Sequence, residues 1–238
     1  MKHISRTLCL GMAIVATSAW AQYKGDLTLT GGRFARYESL DYGSAALTYR
    51  LTTNVRLALR MTSSKTAVFD GGGFSVAHGG KDREAMGYFS PSDHPDVEIG
   101  VGLAAPDTTD RNQQVQATFD LGWKRTARHI QLRFGLRGVL TGSEIAMASL
   151  QALAPVGPAG FSLDVEGGVT TWGENARSSV NGKAISLPIG KLGIRFDQNG
   201  PLHAEIALTN QLGATTGFGM TPTLGNRYGL SLSAGVRF

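Results

Sequence analysis

From residue 25 onward, apolar and polar side chains alternate in runs that stop and restart across the chain. Residues 43–52 place Ala45, Leu47, Tyr49 and Leu51 on one face and Ala46, Thr48, Arg50 and Thr52 on the other. After Thr53-Asn54, Val55, Leu57, Leu59 and Met61 alternate with Arg56, Ala58, Arg60 and Thr62. Val97, Ile99, Val101 and Leu103 repeat the pattern, as do Ile130, Leu132, Phe134 and Leu136. A period of two is the signature of a strand with one apolar and one polar side, and no convincing amphipathic helix interrupts it. The pattern predicts strands near 25–31, 43–52, 55–63, 96–104, 114–123, 129–139, 143–152, 160–170, 185–197, 201–210 and 227–238.

Length of run separates the possible all-β folds. Strands in soluble proteins average five or six residues, whereas a tilted strand needs about 9–11 to cross a bilayer. The runs here approach the second value. Their polar faces are rich in glycine, arginine and carboxylates, which suits a crowded polar lumen. Tyr49, Trp123, Phe161, Phe196 and Tyr228 fall near run ends, where an interfacial aromatic girdle would sit.

The last run is the most specific. Tyr228, Leu230, Leu232, Ala234, Val236 and Phe238 form an unbroken apolar face that ends on the terminal residue. This resembles the C-terminal assembly signal of Gram-negative outer-membrane β-barrel proteins, with Tyr228, Leu230, Leu232, Val236 and Phe238 as its characteristic positions. The resemblance implies an antiparallel up-and-down transmembrane barrel. It also implies outer-membrane lipid and lipopolysaccharide as surroundings and the barrel assembly machinery as a partner during biogenesis. No subfamily is identified; a passenger-secreting autotransporter role is disfavoured because no passenger precedes the barrel.

Parity then adds an element. A single-chain bacterial barrel has an even number of strands. Eleven runs leave one descending strand missing between residues 64 and 95, and Glu84–Ser90 before Pro91-Ser92-Asp93-His94-Pro95 is the best candidate. Twelve strands follow, with ten as the alternative because 25–31 and 84–90 are weak. Within 185–197, Ile185, Leu187 and Ile189 take one parity and Leu192, Ile194 and Phe196 the other. A β-bulge at Pro188–Gly190 would reset the phase, or the strand begins only near Gly190. External loops are expected at 32–42, 64–83, 171–183 and 211–226.

The N-terminus reads as an address. Lys2 and Arg6 precede the apolar stretch 7–20, and Ala19-Trp20-Ala21 gives a small-x-small cleavage pattern. Residues 1–21 are therefore expected to be a cleaved signal peptide and 22–238 the barrel. The alternatives are an uncleaved anchor or a buried helix. Cleavage would remove Cys9, the chain's one cysteine, and with it any disulfide or thiolate chemistry.

Composition refines this. The 32 glycines in 238 residues are close to twice the usual share of ~7% and follow no collagen period. Gly71-Gly72-Gly73 lacks a following GK[ST] and does not read as a phosphate loop. Net charge, +5 before cleavage, is too small to argue for nucleic acid.

Candidate chemistry is sparse. Parity turns Arg50, Arg56, Arg60, Arg133, Arg137, Arg195 and Arg237 inward, with Glu98, Asp120, Asp164, Glu166 and Glu205, a slight positive excess. His129 and His203 share the inward parity. His203 and Glu205 could begin a metal or catalytic site, but no third ligand is identifiable, and a lumen hydrogen-bond network is the simpler reading. His78, in the largest expected loop, is the one weak catalytic candidate for a lipid-modifying enzyme. Lys124, Arg125, Arg128 and His129 form a basic cluster expected on the periplasmic side, and a solvated turn is its default. No cofactor or metal is indicated. The leading expectation is a narrow pore or structural envelope protein with interactive external loops. The alternatives are a lipid-modifying enzyme and a soluble periplasmic β-protein.

Overall fold

In the computed structural model the chain closes into an antiparallel barrel of twelve strands. Residues 23–35, 39–67, 78–107, 115–140, 145–157, 160–172, 186–197, 200–211 and 228–238 are described. The expected signal peptide with Ala19 and Ala21 lies outside them, as do residues 173–183 and most of 211–226. The strands are β1 (Gly25–Ala35), β2 (Ser39–Arg50), β3 (Val55–Ala67), β4 (His78–Phe89), β5 (Val97–Asp107) and β6 (Gln116–Ala127). They continue as β7 (Ile130–Val139), β8 (Ile145–Pro155), β9 (Phe161–Trp172), β10 (Ser186–Asp197), β11 (Leu202–Thr209) and β12 (Gly229–Arg237).

Each strand pairs with its sequence neighbours, and β12 closes on β1 from Asp26↔Arg237 to Arg33↔Leu230. Closure leaves no unpaired edge, the condition for a sheet to stand in hydrocarbon. The terminal Phe238 is part of the seam: its carbonyl accepts the Lys24 and Gly25 amides at 2.8 and 2.7 Å. Both termini lie at one end, with the connections around 51–54, 90–96, 128–129, 156–160 and 198–201. The ten-strand alternative fails because β1 and β4 are full strands of 11 and 12 residues.

Two loops shrink. Paired backbone extends to Ala35 and resumes at Ser39, so 32–42 is mostly strand. Likewise β3 runs to Ala67 and β4 starts at His78, across a register shift between Ser64 and Ala67. His78 therefore opens a strand, where the glycines around it had suggested a loop.

The expected bulge in β10 is absent. Its pairing with β9 runs unbroken from Ser186↔Thr171 to Phe196↔Phe161. Ile189 faces inward and is buried, with Gly168 as its register partner on β9. Asn210 fixes the region. Its Oδ1 accepts the Gly190 amide at 2.9 Å and its Nδ2 donates to the Pro188 carbonyl at 2.8 Å. A side chain outside the strand thus satisfies backbone groups where proline interrupts the ladder.

The two faces of the wall differ as the alternation requires. Outside stand Leu57, Leu59, Val101, Leu103, Leu150, Leu192, Leu208 and Leu232, each more than two-fifths exposed. Inside, Thr62, Asp82, Glu84, Asp120, Asp164 and Thr170 are buried. The apolar core is small, centred on Ala58, Met86 and Tyr88. The interior is held largely by polar contacts.

Aromatics gather near the end that carries the termini. Trp123 and Phe134 are register partners, Trp123 Nε1 donates to Asp96 at 2.8 Å, and Phe161 meets Phe196 with ring centroids 5.1 Å apart. Tyr49, Phe89 and Phe238 are exposed at the same end, and Tyr228 sits at the other.

Candidate functional site

The lumen wall is the candidate site, and its geometry begins with the sheet spacing. Neighbouring strands are about 4.8 Å apart, so side chains two strands apart are separated by ~10 Å. A long side chain spans that gap only if the residue between them has no side chain. Four glycines provide this opening.

At Gly100 on β5, the Tyr88 ring crosses from β4 and donates its hydroxyl to Asp120 on β6 at 3.0 Å. At Gly122 on β6, Arg133 reaches from β7 toward Glu98 on β5, Nη2 to Oε1 3.8 Å. At Gly235 on β12, the His203 ring crosses from β11 to Asp26 on β1, 2.9 Å away. At Gly32 on β1, Tyr42 crosses from β2 to Ser231 on β12 at 3.0 Å. A Cβ on Gly32, Gly100 or Gly235 would collide with the crossing ring. The glycine excess thus has a structural use in this wall.

The wall carries three polar clusters, and crossings contribute to the first and the third. The first spans β3 to β7. Arg60 pairs with Glu84 at 3.2 Å and donates to the Tyr88 hydroxyl at 2.5 Å. Arg56 pairs with Glu98 at 2.7 Å and stacks on Tyr88, its guanidinium carbon 4.0 Å from the ring centroid. That stacking uses the negative face of the ring to hold the cation. The second spans β8 to β11. Lys191 bridges Asp164 at 2.6 Å and Glu205 at 3.0 Å, while Gln151 Nε2 donates to both Asp164 oxygens at 2.9 Å. The third closes the seam near the termini. Arg237 holds Asp197 through two nitrogens at 2.9 and 2.5 Å, Arg195 reaches Asp197 at 3.4 Å, and Arg237 Nε lies 3.6 Å from Asp26.

Of the residues expected to line the lumen, Arg56, Arg60, Glu98, Asp120 and Arg133 meet in the first cluster. Asp164 and Glu205 meet in the second, and Arg195 and His203 in the third. Arg50 ends β2 at the rim and is exposed. Arg137 and Glu166 face a cavity. His203 and Glu205 do not converge on a shared ligand position, since one is held by Asp26 and the other by Lys191. His129 is not inward: with Arg128 it forms the β6–β7 turn, at φ values of 58° for Arg128 and 135° for His129.

Other participants escaped the pattern. Asp26 and Glu84 lie in the two weak runs, and Asp82 lies in the expected loop 64–83. Lys191 lies beside the phase change in β10, although its parity matches that of Arg195. These additions supply more carboxylates than cations and remove the slight positive excess. Tyr88, the hub of the first cluster, lies in the weak run 84–90 and was not among the expected lumen residues.

One part of the wall is open. Arg133, Arg137, Ser149, Gln151, Glu166 and Gln211 line a cavity of about 190 Å³ on the inner faces of β7 to β9. Gly135 forms its floor.

No protein-family model and no curated protein sequence matches the chain. Among solved structures, the chain is similar to the COG4313 outer membrane channel from Pseudomonas putida F1, with a TM-score of 0.59 at 12% identity, over 92% of this chain and 97% of that one. It is also similar to the translocator domain of autotransporter NalP from Neisseria meningitidis, with a TM-score of 0.51 at 13% identity, over 98% of this chain and 93% of that one. At such identities the likeness is one of fold: a closed all-β barrel of the outer-membrane type.

Proposed function

We propose that the protein is a Gram-negative outer-membrane barrel that serves as a narrow polar pore. The observation that carries this reading is the division of the wall. Leu59, Val101, Leu103, Leu121, Leu150, Leu192, Ile206 and Leu232 stand on the outside. They form a continuous apolar belt of a kind that soluble monomers rarely expose. The inside is charged and ion-paired. In water this arrangement is inverted; in a bilayer it is the expected one. A soluble periplasmic protein would need a partner over the whole belt.

The expected export signal at 1–21 and the alternating β12 support the same location. Delivery through the assembly machinery would use Tyr228, Leu230, Leu232, Val236 and Phe238. Phe238 also sits where β12 meets β1, so an ordered C-terminus and closure of the barrel are one event. Twelve strands fall between eight, which side chains fill, and sixteen, which leave a water-filled channel. The pore is accordingly narrow.

The test is single-channel recording on the refolded mature protein in a planar bilayer, after heat-dependent gel migration has verified the folded state. Unitary steps whose size or selectivity changes in Arg56→Gln or Arg60→Gln support the pore. A verified barrel that never conducts makes the protein a closed structural barrel and removes the reading. Release from cells by osmotic shock without detergent would remove the membrane location as well.

A further inference from the structure

The cavity beside Arg133 and Arg137 differs from the rest of the lumen in what its cations lack. Arg56, Arg60, Lys191 and Arg237 each have a carboxylate oxygen at 3.2 Å or closer. Arg133 reaches one only at 3.8 Å, and its Nε is buried without a hydrogen-bond partner. Arg137 is the register partner of Asp120, yet it makes no hydrogen bond or ion pair among the described residues. Asp120 is engaged elsewhere, by the Tyr88 hydroxyl at 3.0 Å. Two inward guanidiniums four residues apart on the same face of β7 therefore line an open volume, and no described residue accepts a hydrogen bond from Arg137 there. A guanidinium without a close acceptor is open to an arriving anion.

The opposite wall is of another kind. Ser149 on β8 and Gln211 beyond β11 offer hydroxyl and amide groups. Glu166 on β9 is an acceptor, oriented by Gln211 Nε2 at 2.8 Å. Gln151 spends its amide donors on Asp164 and presents only its carbonyl oxygen. Within the cavity lining two guanidiniums stand against one carboxylate, Glu166, while Glu98 lies behind Arg133 at 3.8 Å and Asp120 stands across the ladder from Arg137. The cavity of about 190 Å³ lies below the usual ~300–1,000 Å³ of drug-sized sites.

From these features we propose that the cavity is a binding site for a small hydroxylated monocarboxylate. Its carboxylate takes the free donors of Arg133 and Arg137, in the fork geometry that guanidinium offers to such groups. Its hydroxyls donate to Glu166 and to the Gln151 carbonyl and exchange hydrogen bonds with Ser149. A second carboxylate would face Glu166 and be repelled. This inference rests on the pore reading for its biological sense, since it names the class of solute that would pause in the lumen. The binding itself needs no conduction.

The test uses gluconate, with glucitol as its neutral counterpart and glucarate as its dianion. Titration calorimetry on the folded barrel in detergent reads binding directly. Gluconate is expected to bind and glucitol to fail. Glucarate should bind more weakly than gluconate. Arg137→Gln should weaken gluconate by about tenfold or more, the loss expected for one hydrogen bond to a charged group. Since Arg137 has no ion pair to break, the variant should fold, and heat-dependent migration verifies that. Glu166→Gln should narrow the difference between glucarate and gluconate. No gluconate binding to the folded wild type, equal binding in Arg137→Gln and Arg133→Gln, or glucarate binding as tightly as gluconate would each overturn the site. Binding by a barrel that never conducts would sink the pore reading and leave the site. Conduction without binding would do the reverse.

Discussion

Tyr88 concentrates in one hydroxyl the problem of a charged lumen: it accepts from Arg60 and donates to Asp120, in a residue only 2% exposed. Tyr88→Phe keeps the ring over Gly100 and the stacking of Arg56 but leaves two buried charged groups short of a partner. A loss of about 1–3 kcal/mol is expected, read as a lower urea midpoint for unfolding from lipid vesicles. The glycine crossings make a second prediction. Gly235→Val should displace the His203 ring and break its contact with Asp26. It should then destabilise about as much as His203→Ala, with the double variant little worse than either, because both remove one interaction. The sequence showed which face His203 and Asp120 occupy, because parity along a strand is a local property. It could not show their partners. Those depend on register across two strand boundaries and on a glycine in the strand between, neither of which is encoded near the residue itself.

At the scale of elements, alternation located eleven strands, and the even number required of a closed barrel located the twelfth, β4. It failed at ends and at inward apolar residues. Strand ends were lost at Gly32 and at Gly79-Gly80, where glycine reads as loop although β1 and β4 run through these positions. Ile189 looked like a phase change because an apolar residue facing a polar lumen contradicts the pattern; only the unbroken pairing with β9, which is non-local, shows that the strand keeps its phase. The β6–β7 hairpin carries its own prediction. Two-residue hairpin turns with positive φ favour Asn-Gly, yet here Arg128 and His129 occupy the turn at 58° and 135°. The second value lies where only glycine is at ease. Replacing the pair by Asn-Gly should raise stability by about 1–3 kcal/mol, seen as a higher urea midpoint with unchanged heat-dependent migration. An unchanged midpoint would show that neighbouring contacts already offset the strain.

For the whole molecule, the two sides of the wall make opposite demands, and substitutions of similar size should separate them. Leu59 and Tyr88 belong to adjacent paired strands but face opposite ways: Leu59 is 55% exposed on the belt and Tyr88 is enclosed in the lumen. Leu59→Arg would put a charge into hydrocarbon, at a cost of up to about 2–4 kcal/mol near the midplane, and should depress folding into vesicles while leaving the lumen untouched. Tyr88→Ala acts on the other side. In a barrel of this size the free cross-section is whatever the inward side chains leave, and the Arg56–Tyr88–Arg60 stack lies on the inner face of two adjacent strands, β3 and β4. Deleting the ring removes its own volume and the platform of Arg56, and leaves both guanidiniums held against the wall by Glu98 and Glu84. The unitary conductance should therefore rise in Tyr88→Ala, whereas Leu59→Ala, which removes a comparable volume from the outer face, should leave it unchanged. Planar-bilayer recording on the two variants, each verified as folded, decides it. Equal conductance in Tyr88→Ala and wild type would mean that this stack does not set the constriction, and that the resistance to flow resides at another level of the lumen.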